Sequence, residues 1–155
     1  MNKELQLVCS LIEEELESIT NLLPRIETAW KKAAQDSDDL YLDSVTLNLH
    51  GFYAGIERIF ELIAKRIDES LPSGENWHRE LLKQMTIDIK KVRPAVISQP
   101  TYDYLNNYRG FRHIVRNVYT FNLSVSKLQV LIEQLQDSYS SFKNDIDAFC
   151  LFISG

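Results

Sequence analysis

The chain has 155 residues, 45% hydrophobic and 25% charged, with a formal net charge of −5. This suits a single domain over residues 1–155 that buries its own core, and 5 Gly with 4 Pro argue against a collagenous or turn-dense all-β chain. No apolar run approaches the roughly 20 residues of a membrane-spanning helix. Four acids between residues 13 and 17 interrupt the segment where a signal peptide would be apolar.

The two cysteines, Cys9 and Cys150, stand too far apart in sequence to indicate a disulfide framework. We therefore expect a reduced, cytoplasmic protein that does not bind a membrane. An acidic balance, taken as an average, also disfavours nucleic acid as a partner.

Apolar residues recur at three- and four-residue spacing along most of the chain, which predicts helices. The first predicted helix covers residues 2–35, with a kink or break at Pro24. A turn at residues 36–39 caps the second, which ends near Leu71 and has the most regular stripe. The third covers residues 75–92.

Pro94 and Pro100 bracket a short extended linker before the fourth predicted helix, residues 101–119. Asn122 and Ser124 are candidate caps for a last helix that continues to the end of the chain. No segment alternates with period two, so the prediction is an all-α, antiparallel bundle of four to five long helices.

The acidic average conceals a local exception. No acid occurs between Asp103 and Glu133, whereas an even distribution of the chain's 22 acids would place about four there. The cationic residues of this interval are Arg109, Arg112, His113, Arg116 and Lys127.

Arg109, Arg112 and Arg116 are three and four residues apart and so share one helical stripe. Arginine binds phosphate through two parallel hydrogen bonds, and stacked cations repel one another unless they share an anion. An anion-binding or catalytic face is one interpretation. The other is that these arginines pair with acids of the first two helices.

The segment YRGFRHIVRNVY, residues 108–119, resembles the motif of the HEPN superfamily. The resemblance extends over about residues 40–119 and is strongest to HepT-like proteins, which are paired with a minimal nucleotidyltransferase in toxin–antitoxin modules. It implies a homodimeric, metal-independent endoribonuclease without a cofactor, acting on RNA such as tRNA. In this family an arginine holds the scissile phosphate, a histidine assists proton transfer at the 2′-hydroxyl, and a tyrosine accepts AMP from the nucleotidyltransferase.

The HepT-like pattern is Arg-x4-His-x-Tyr. Carried onto this chain, it assigns phosphate binding to Arg112, the polar position after it to His113, and AMP acceptance to Tyr119. The arginine stripe adds Arg109 and Arg116 as candidate phosphate ligands. Asn117 stands where the family has its histidine, and an amide does not exchange a proton near neutral pH. Either His113 serves in a shifted geometry, or the nuclease is weakened or lost.

The alternative function is therefore a catalytically inactive HEPN module that serves as adaptor or modification substrate of the nucleotidyltransferase. Glu75 and His78 have the Glu-x-x-His spacing of di-iron bundles, but no second copy exists, so no metal site is predicted. His50 precedes a mid-helix glycine and is interpreted as a packed residue. The apolar end of the chain, residues 147–154, is expected to dock on the first helix or to form part of a dimer seam.

Overall fold

The computed structural model describes residues 2–36, 38–117 and 125–155, without the side chains of residues 39 and 112–117. Within these residues it contains six α-helices, one π-helical segment and no strand. The predicted all-α bundle is thereby confirmed. Dimerisation stays a prediction.

Helix α1, Lys3–Asp36, continues through Pro24 without interruption, so the predicted possibility of a break there is wrong. Pro24 cannot donate to the carbonyl four residues earlier, but Leu23 and Ile26, on either side of it, are both buried against the core. Burial of these two side chains offsets the lost hydrogen bond. The helix is held by packing rather than by local propensity.

Helix α2, Asp39–Ile63, begins where the sequence predicts. The Asp38 side chain caps it by accepting a hydrogen bond of 2.9 Å from the Leu40 backbone N–H. A π-helical segment, Ala64–Asp68, extends α2, and Glu69 ends it in the left-handed conformation with φ of 54°. The observed end is thus within a few residues of the predicted one.

Helices α1 and α2 form the most extensive helix pair of the fold. At Gly55, an added Cβ would lie 2.7 Å from Ile19 Cγ1, so only glycine permits this approach. The mid-helix glycine beside His50 is packed less closely. At that position, Gly51, an added Cβ would lie 3.5 Å from Leu22 Cδ1, which is an ordinary van der Waals distance.

Helix α3, Trp77–Gln84, ends eight residues before the predicted position 92. The chain then forms a loop around the buried guanidinium of Arg93. Arg93 Nε and Nη2 donate to the two carboxylate oxygens of Asp68 at 2.6 and 2.7 Å, and Nη1 donates to the carbonyl of Ile87 at 2.8 Å. Continued helix would remove these loop carbonyls from reach of the guanidinium.

Helix α4 is Gln99–Asn117, α5 is Val125–Glu133 and α6 is Leu135–Ser154. A turn at Gln134 divides the predicted last helix into α5 and α6. The candidate caps Asn122 and Ser124 lie outside the described residues.

One continuous core draws side chains from all six helices, and among the described helices none is long and apolar enough to cross a bilayer. At the end of α6, Phe149 is buried in that core, whereas Leu151 and Phe152 are 77% and 69% exposed. Docking on the bundle therefore accounts for only part of this apolar end.

Candidate functional site

The start of α4 is fixed by a carboxylate from α6. Asp145 accepts hydrogen bonds from the Ser98 backbone N–H at 2.9 Å, the Ser98 hydroxyl at 2.9 Å and the Thr101 hydroxyl at 2.6 Å. A negative group at the first turn also complements the helix dipole. Because Thr101 is fully buried, this contact anchors α4 to α6.

The middle of α4 is tied to α5 by Tyr108. Its hydroxyl donates a hydrogen bond of 2.7 Å to the Leu131 carbonyl, and its ring packs edge-on against Phe52 with centroids 5.2 Å apart. Burial raises the pKa of Tyr108 to about 12, although the neighbouring Ser138 hydroxyl acts in the opposite direction. The hydroxyl therefore stays protonated at neutral pH and keeps α4 at a fixed distance from α5.

Beside this contact lies a groove of about 620 Å³, formed by residues of α4 between positions 106 and 111 and residues of α5 between positions 126 and 131. We call it the α4–α5 groove. Phe111 and Leu131 are its buried apolar residues, and Val130 is half exposed. Asn106 and Asn107 contribute side-chain amides.

The charge of the α4–α5 groove is positive. Arg109 lines it from α4 and Lys127 from α5, and none of the lining residues that the structure describes is acidic. Arg109 Nε donates to the Asn106 amide oxygen at 3.0 Å, and in the described part of the chain no carboxylate pairs with Arg109. Of the two interpretations of the arginine stripe, the contacts of Arg109 favour anion binding over pairing with an acid.

A second groove, of about 600 Å³, lies beside α3 and differs from the α4–α5 groove in having an acidic lining residue. Arg79 and Lys83 line it, but Glu80 lies between them on the same helix. The Lys83 ammonium also stands over the Tyr102 ring, 5.7 Å from its centroid. An anion entering this groove would meet a carboxylate as well as the two cations, so the α4–α5 groove is the better anion site.

The motif positions from 109 to 117 lie on the last part of α4. The backbone is helical as far as Asn117, so positions 109, 112 and 116 follow one another at three- and four-residue spacing on a helix, as predicted. The side chains of Arg112, His113, Arg116 and Asn117 lie outside the described structure, as does Tyr119 altogether.

Sequence patterns alone do not identify a second set of groove residues. Asn106, Gly110 and Lys127 line the same groove as Arg109, and of these three only Lys127 stands out in the sequence, as a cation of the acid-free interval. The acid-free interval is the sequence feature that could have indicated these residues, because both walls of the groove lie within it. Which residues of α5 face α4 depends on how the two helices pack.

His78 was weighed as half of a Glu-x-x-His pair with Glu75, but its partner is elsewhere. His78 Nδ1 lies 2.6 Å from Oε2 of Glu57, a residue of α2 that is only 3% exposed. Among the described side chains, no group of three or more His, Cys, Asp or Glu is arranged to hold a metal ion. The pair Glu57–His78 connects α2 to α3 and does not line the α4–α5 groove.

Cys9 and Cys150 are neighbours in space although 141 positions separate them, with Cys9 Sγ 3.8 Å from the Cys150 carbonyl oxygen. Both are free thiols. Burial, followed by the adjacent Cys9 thiol, raises the pKa of Cys150. A protonated thiol is a poor nucleophile, so Cys150 contributes packing rather than reactivity.

The fold and the groove together define a class: an all-helical bundle whose fourth helix carries a cationic, acid-free surface. The family model described as HepT-like protein matches residues 44–153. The chain therefore belongs to the HepT-like family, in agreement with its resemblance to HEPN proteins. No curated protein and no solved structure matched it.

Proposed function

We propose that this HepT-like protein is the toxin of a toxin–antitoxin pair, a homodimeric, metal-independent endoribonuclease acting in the cytoplasm. The observation that carries the proposal is that positions 112 and 117 of the family motif lie on α4, the helix that also forms one wall of the cationic α4–α5 groove. Two free thiols, Cys9 and Cys150, fit a reducing compartment.

Phosphate binding follows from the charges of this surface. Arg109 has a guanidinium without a carboxylate partner among the described residues, and Lys127 faces it from α5. Arg112 and Arg116 continue the stripe of Arg109 at helical spacing. In this proposal Arg112 holds the scissile phosphate, and Arg109, Arg116 and Lys127 hold its neighbours along the strand.

Without a metal, the nucleophile is the RNA's own 2′-hydroxyl. Its oxygen bonds to phosphorus as its proton is removed, the bond from phosphorus to the 5′-oxygen breaks, and that oxygen takes up a proton. The products carry a 2′,3′-cyclic phosphate and a 5′-hydroxyl. The chain's contribution is charge stabilisation by Arg112 and proton transfer by His113, with Asn117 orienting the phosphate or hydroxyl by hydrogen bonds.

Inhibition is assigned to the partner nucleotidyltransferase, which would transfer AMP to Tyr119. The bound AMP adds a phosphodiester charge and a bulky nucleoside seven residues after Arg112. Its phosphate competes with RNA for the same arginines, which is the usual effect of a modification that adds negative charge.

The test is cleavage of total RNA and of tRNA by purified protein in EDTA. Wild-type protein is expected to cleave and to leave 2′,3′-cyclic phosphate ends. Arg112→Ala and His113→Ala are expected to lose at least about a hundredfold in rate, as removal of a transition-state contact or a general base does. The matched control is Arg25→Ala, since Arg25 is an exposed arginine of α1 far from the motif in sequence.

Two results would contradict the nuclease. One is no cleavage by the wild type. The other is cleavage that Arg112→Ala and His113→Ala leave as unchanged as Arg25→Ala does, because a contaminating ribonuclease would give that pattern.

Asn117 favours a second candidate function, a non-catalytic module that binds the nucleotidyltransferase and is modified by it. An amide at the position of the family's histidine removes its proton-transfer group. Incubation with the partner and ATP, followed by intact mass spectrometry, is expected to show one AMP adduct that Tyr119→Phe abolishes. Absence of both an adduct and co-purification with the partner would contradict this function.

A further inference from the structure

The loop that follows α3 presents two lysines at the tip of a tight turn. Ile89 and Arg93 exchange backbone hydrogen bonds of 2.9 and 3.0 Å, and the turn between them carries the exposed Lys90 and Lys91. The buried guanidinium of Arg93 holds this turn from inside through its bonds to Asp68 and to loop carbonyls. The tip is therefore held in one position relative to α3.

Lys91 has a backbone conformation that lysine rarely adopts. Its φ is 65°, in the left-handed region where a side chain is strained and glycine is not. The Lys91 side chain is exposed and makes no hydrogen bond or ion pair with the described part of the chain. Backbone strain that contacts within the protein do not explain is typical of residues with a functional role.

Two further cations lie on α3 itself. Arg79 and Lys83 line the groove beside this helix, together with Glu80. Neither Arg79 nor Lys83, nor either lysine of the turn, pairs with a carboxylate among the described residues. The exposed Lys143 of α6, in contrast, lies 2.6 Å from Asp147. The charges around α3 thus remain available to another molecule.

Exposed apolar side chains accompany these cations. Leu71, Ile87 and Val92 are each about half exposed, and Ile87 lines the groove beside α3 together with Pro72 and Tyr102. Exposed apolar side chains with a polar rim are typical of protein-interaction sites. We call the exposed residues of this region the α3 surface: Leu71, Arg79, Lys83, Ile87, Lys90, Lys91 and Val92.

The composition of the α3 surface indicates which class of partner it fits. Residues 79–92 contain four exposed cations and two acids, Glu80 and Asp88, and Asp88 is engaged by the Ala95 backbone N–H at 2.7 Å. This balance favours a negatively charged partner, because association is favoured where potentials are complementary. An RNA backbone would leave Ile87 and Val92 without apolar contacts, whereas a protein segment that carries both acids and apolar side chains satisfies both features.

We propose that the α3 surface binds an acidic, apolar segment of another protein. Carboxylates of that segment pair with Lys83 and Lys91, and its apolar side chains pack on Ile87. The surface is separate from the α4–α5 groove, since the grooves beside α3 and α5 share no described lining residue. Tyr102, the α4 residue beside it, precedes motif position 112 by about 15 Å of helix. The proposal does not depend on the proposed function.

The experiment measures the binding of three short fluorescent peptides to the full chain by anisotropy at low salt. The first peptide consists of glutamate and leucine, the second has lysine in place of glutamate, and the third has serine in place of leucine. Wild-type protein is expected to bind the glutamate–leucine peptide at least about tenfold more tightly than either of the others. Rising salt is expected to weaken this binding, because the paired charges are exposed.

Three variants test the contacts. Lys83→Glu and Lys91→Glu each reverse one charge and are expected to weaken binding of the glutamate–leucine peptide about fivefold, and Ile87→Ser about tenfold. The matched control is Lys31→Glu, which reverses the charge of an exposed lysine of α1 outside the α3 surface. Lys31→Glu is expected to bind like the wild type. Thermal unfolding monitored by circular dichroism checks that each variant is folded.

Lys91→Gly separates binding from folding. Glycine adopts a φ of 65° without strain, so the melting temperature of this variant is expected to equal or exceed that of the wild type. Its affinity for the glutamate–leucine peptide is nevertheless expected to fall, because one cation is lost. Unchanged affinity would contradict the assignment of Lys91 to the binding surface.

Other results would overturn the proposal as a whole. Wild-type protein that binds the three peptides equally, or variants of the α3 surface that bind as Lys31→Glu does, would show that no such site exists. If Lys83→Glu changes the mass of the protein in light scattering, the surface is an interface between two copies. If it weakens binding of an RNA strand and not of the peptide, the surface binds nucleic acid. Protein that cleaves RNA but binds no peptide contradicts this proposal and leaves the proposed function standing.

Discussion

At the scale of single residues, the account depends on a few side chains whose environments differ sharply. Arg93 is buried and hydrogen-bonded to one carboxylate and several backbone carbonyls, so it serves the fold. Arg109 contacts an amide and no described carboxylate, so its charge remains available to an anion. The same residue type thus has two roles, which the local hydrogen bonds distinguish.

Asn117 offers the most direct test of the catalytic proposal at one position. We expect Asn117→His to raise the rate of RNA cleavage in EDTA at least about tenfold, because it restores a general acid–base group where the family has one. The control is Asn117→Gln, which keeps an amide. If the His and Gln variants cleave at the same rate, the position does not take part in proton transfer.

Tyr108 gives a pH-dependent prediction. Its pKa is about 12 in the folded protein and 10.0 for an exposed tyrosine, so the folded state holds this proton more tightly. The resulting stabilisation is complete below pH 10 and is lost as pH rises toward 12. The free energy of unfolding of the wild type should therefore fall relative to Tyr108→Phe by about 1.4 kcal/mol at pH 11.

The measurement is urea unfolding of both proteins between pH 8 and pH 11. At pH 8, Tyr108→Phe is expected to be less stable by about 1 kcal/mol because it loses the hydrogen bond to Leu131. A difference that does not change with pH would contradict the burial of an ionisable hydroxyl at this position.

At the scale of elements, the bundle presents α4 through contacts at two points. Asp145 of α6 fixes its first turn, and Tyr108 fixes its middle to α5. The part of α4 that carries the motif follows these two anchors. A surface that binds a ligand is best held by rigid elements, and the contacts of α4 provide that support.

The loop after α3 depends on the buried pair Asp68–Arg93, whose side chains are 1% and 0% exposed. Asp68→Ala or Arg93→Ala should lower the free energy of unfolding by about 3–5 kcal/mol, because each leaves one charge buried without its partner. The control is Arg58→Ala, since Arg58 is 59% exposed and pairs with Glu15 at the surface. That variant should cost about 1 kcal/mol or less, and equal losses in all three variants would contradict the assigned burial.

The helices themselves could be predicted wherever the stripe of apolar residues is uninterrupted, and α2 is the clearest case. The end of α3 could not be predicted, because Met85 and Ile89 continue the periodicity while the contact of Arg93 with Asp68 ends the helix. The proximity of Cys9 and Cys150 likewise depends on the packing of α1 against α6. Contacts between residues distant in sequence are the information that local patterns lack.

For the candidate site, the acid-free interval includes both walls of the α4–α5 groove. The sequence did not indicate that Lys127 of α5 would line the same groove as Arg109. That arrangement arises only once α5 is placed beside α4.

At the scale of the whole molecule, a net charge of −5 coexists with a cationic groove. The acids lie before residue 104 and after residue 132, so the average charge says little about residues 104–132. In the proposed function, the acidic remainder of the protein repels RNA, which confines binding to the acid-free residues 104–132.

The affinity for a single-stranded oligonucleotide as a function of salt tests this central claim most directly. The measurement compares the wild type with Arg109→Ala, Lys127→Ala and the double variant. We predict a steep loss of wild-type affinity with rising salt, with the slope of log K against log salt reduced by about one for each cation removed. No binding at low salt, or the same slope in the double variant as in the wild type, would contradict the account.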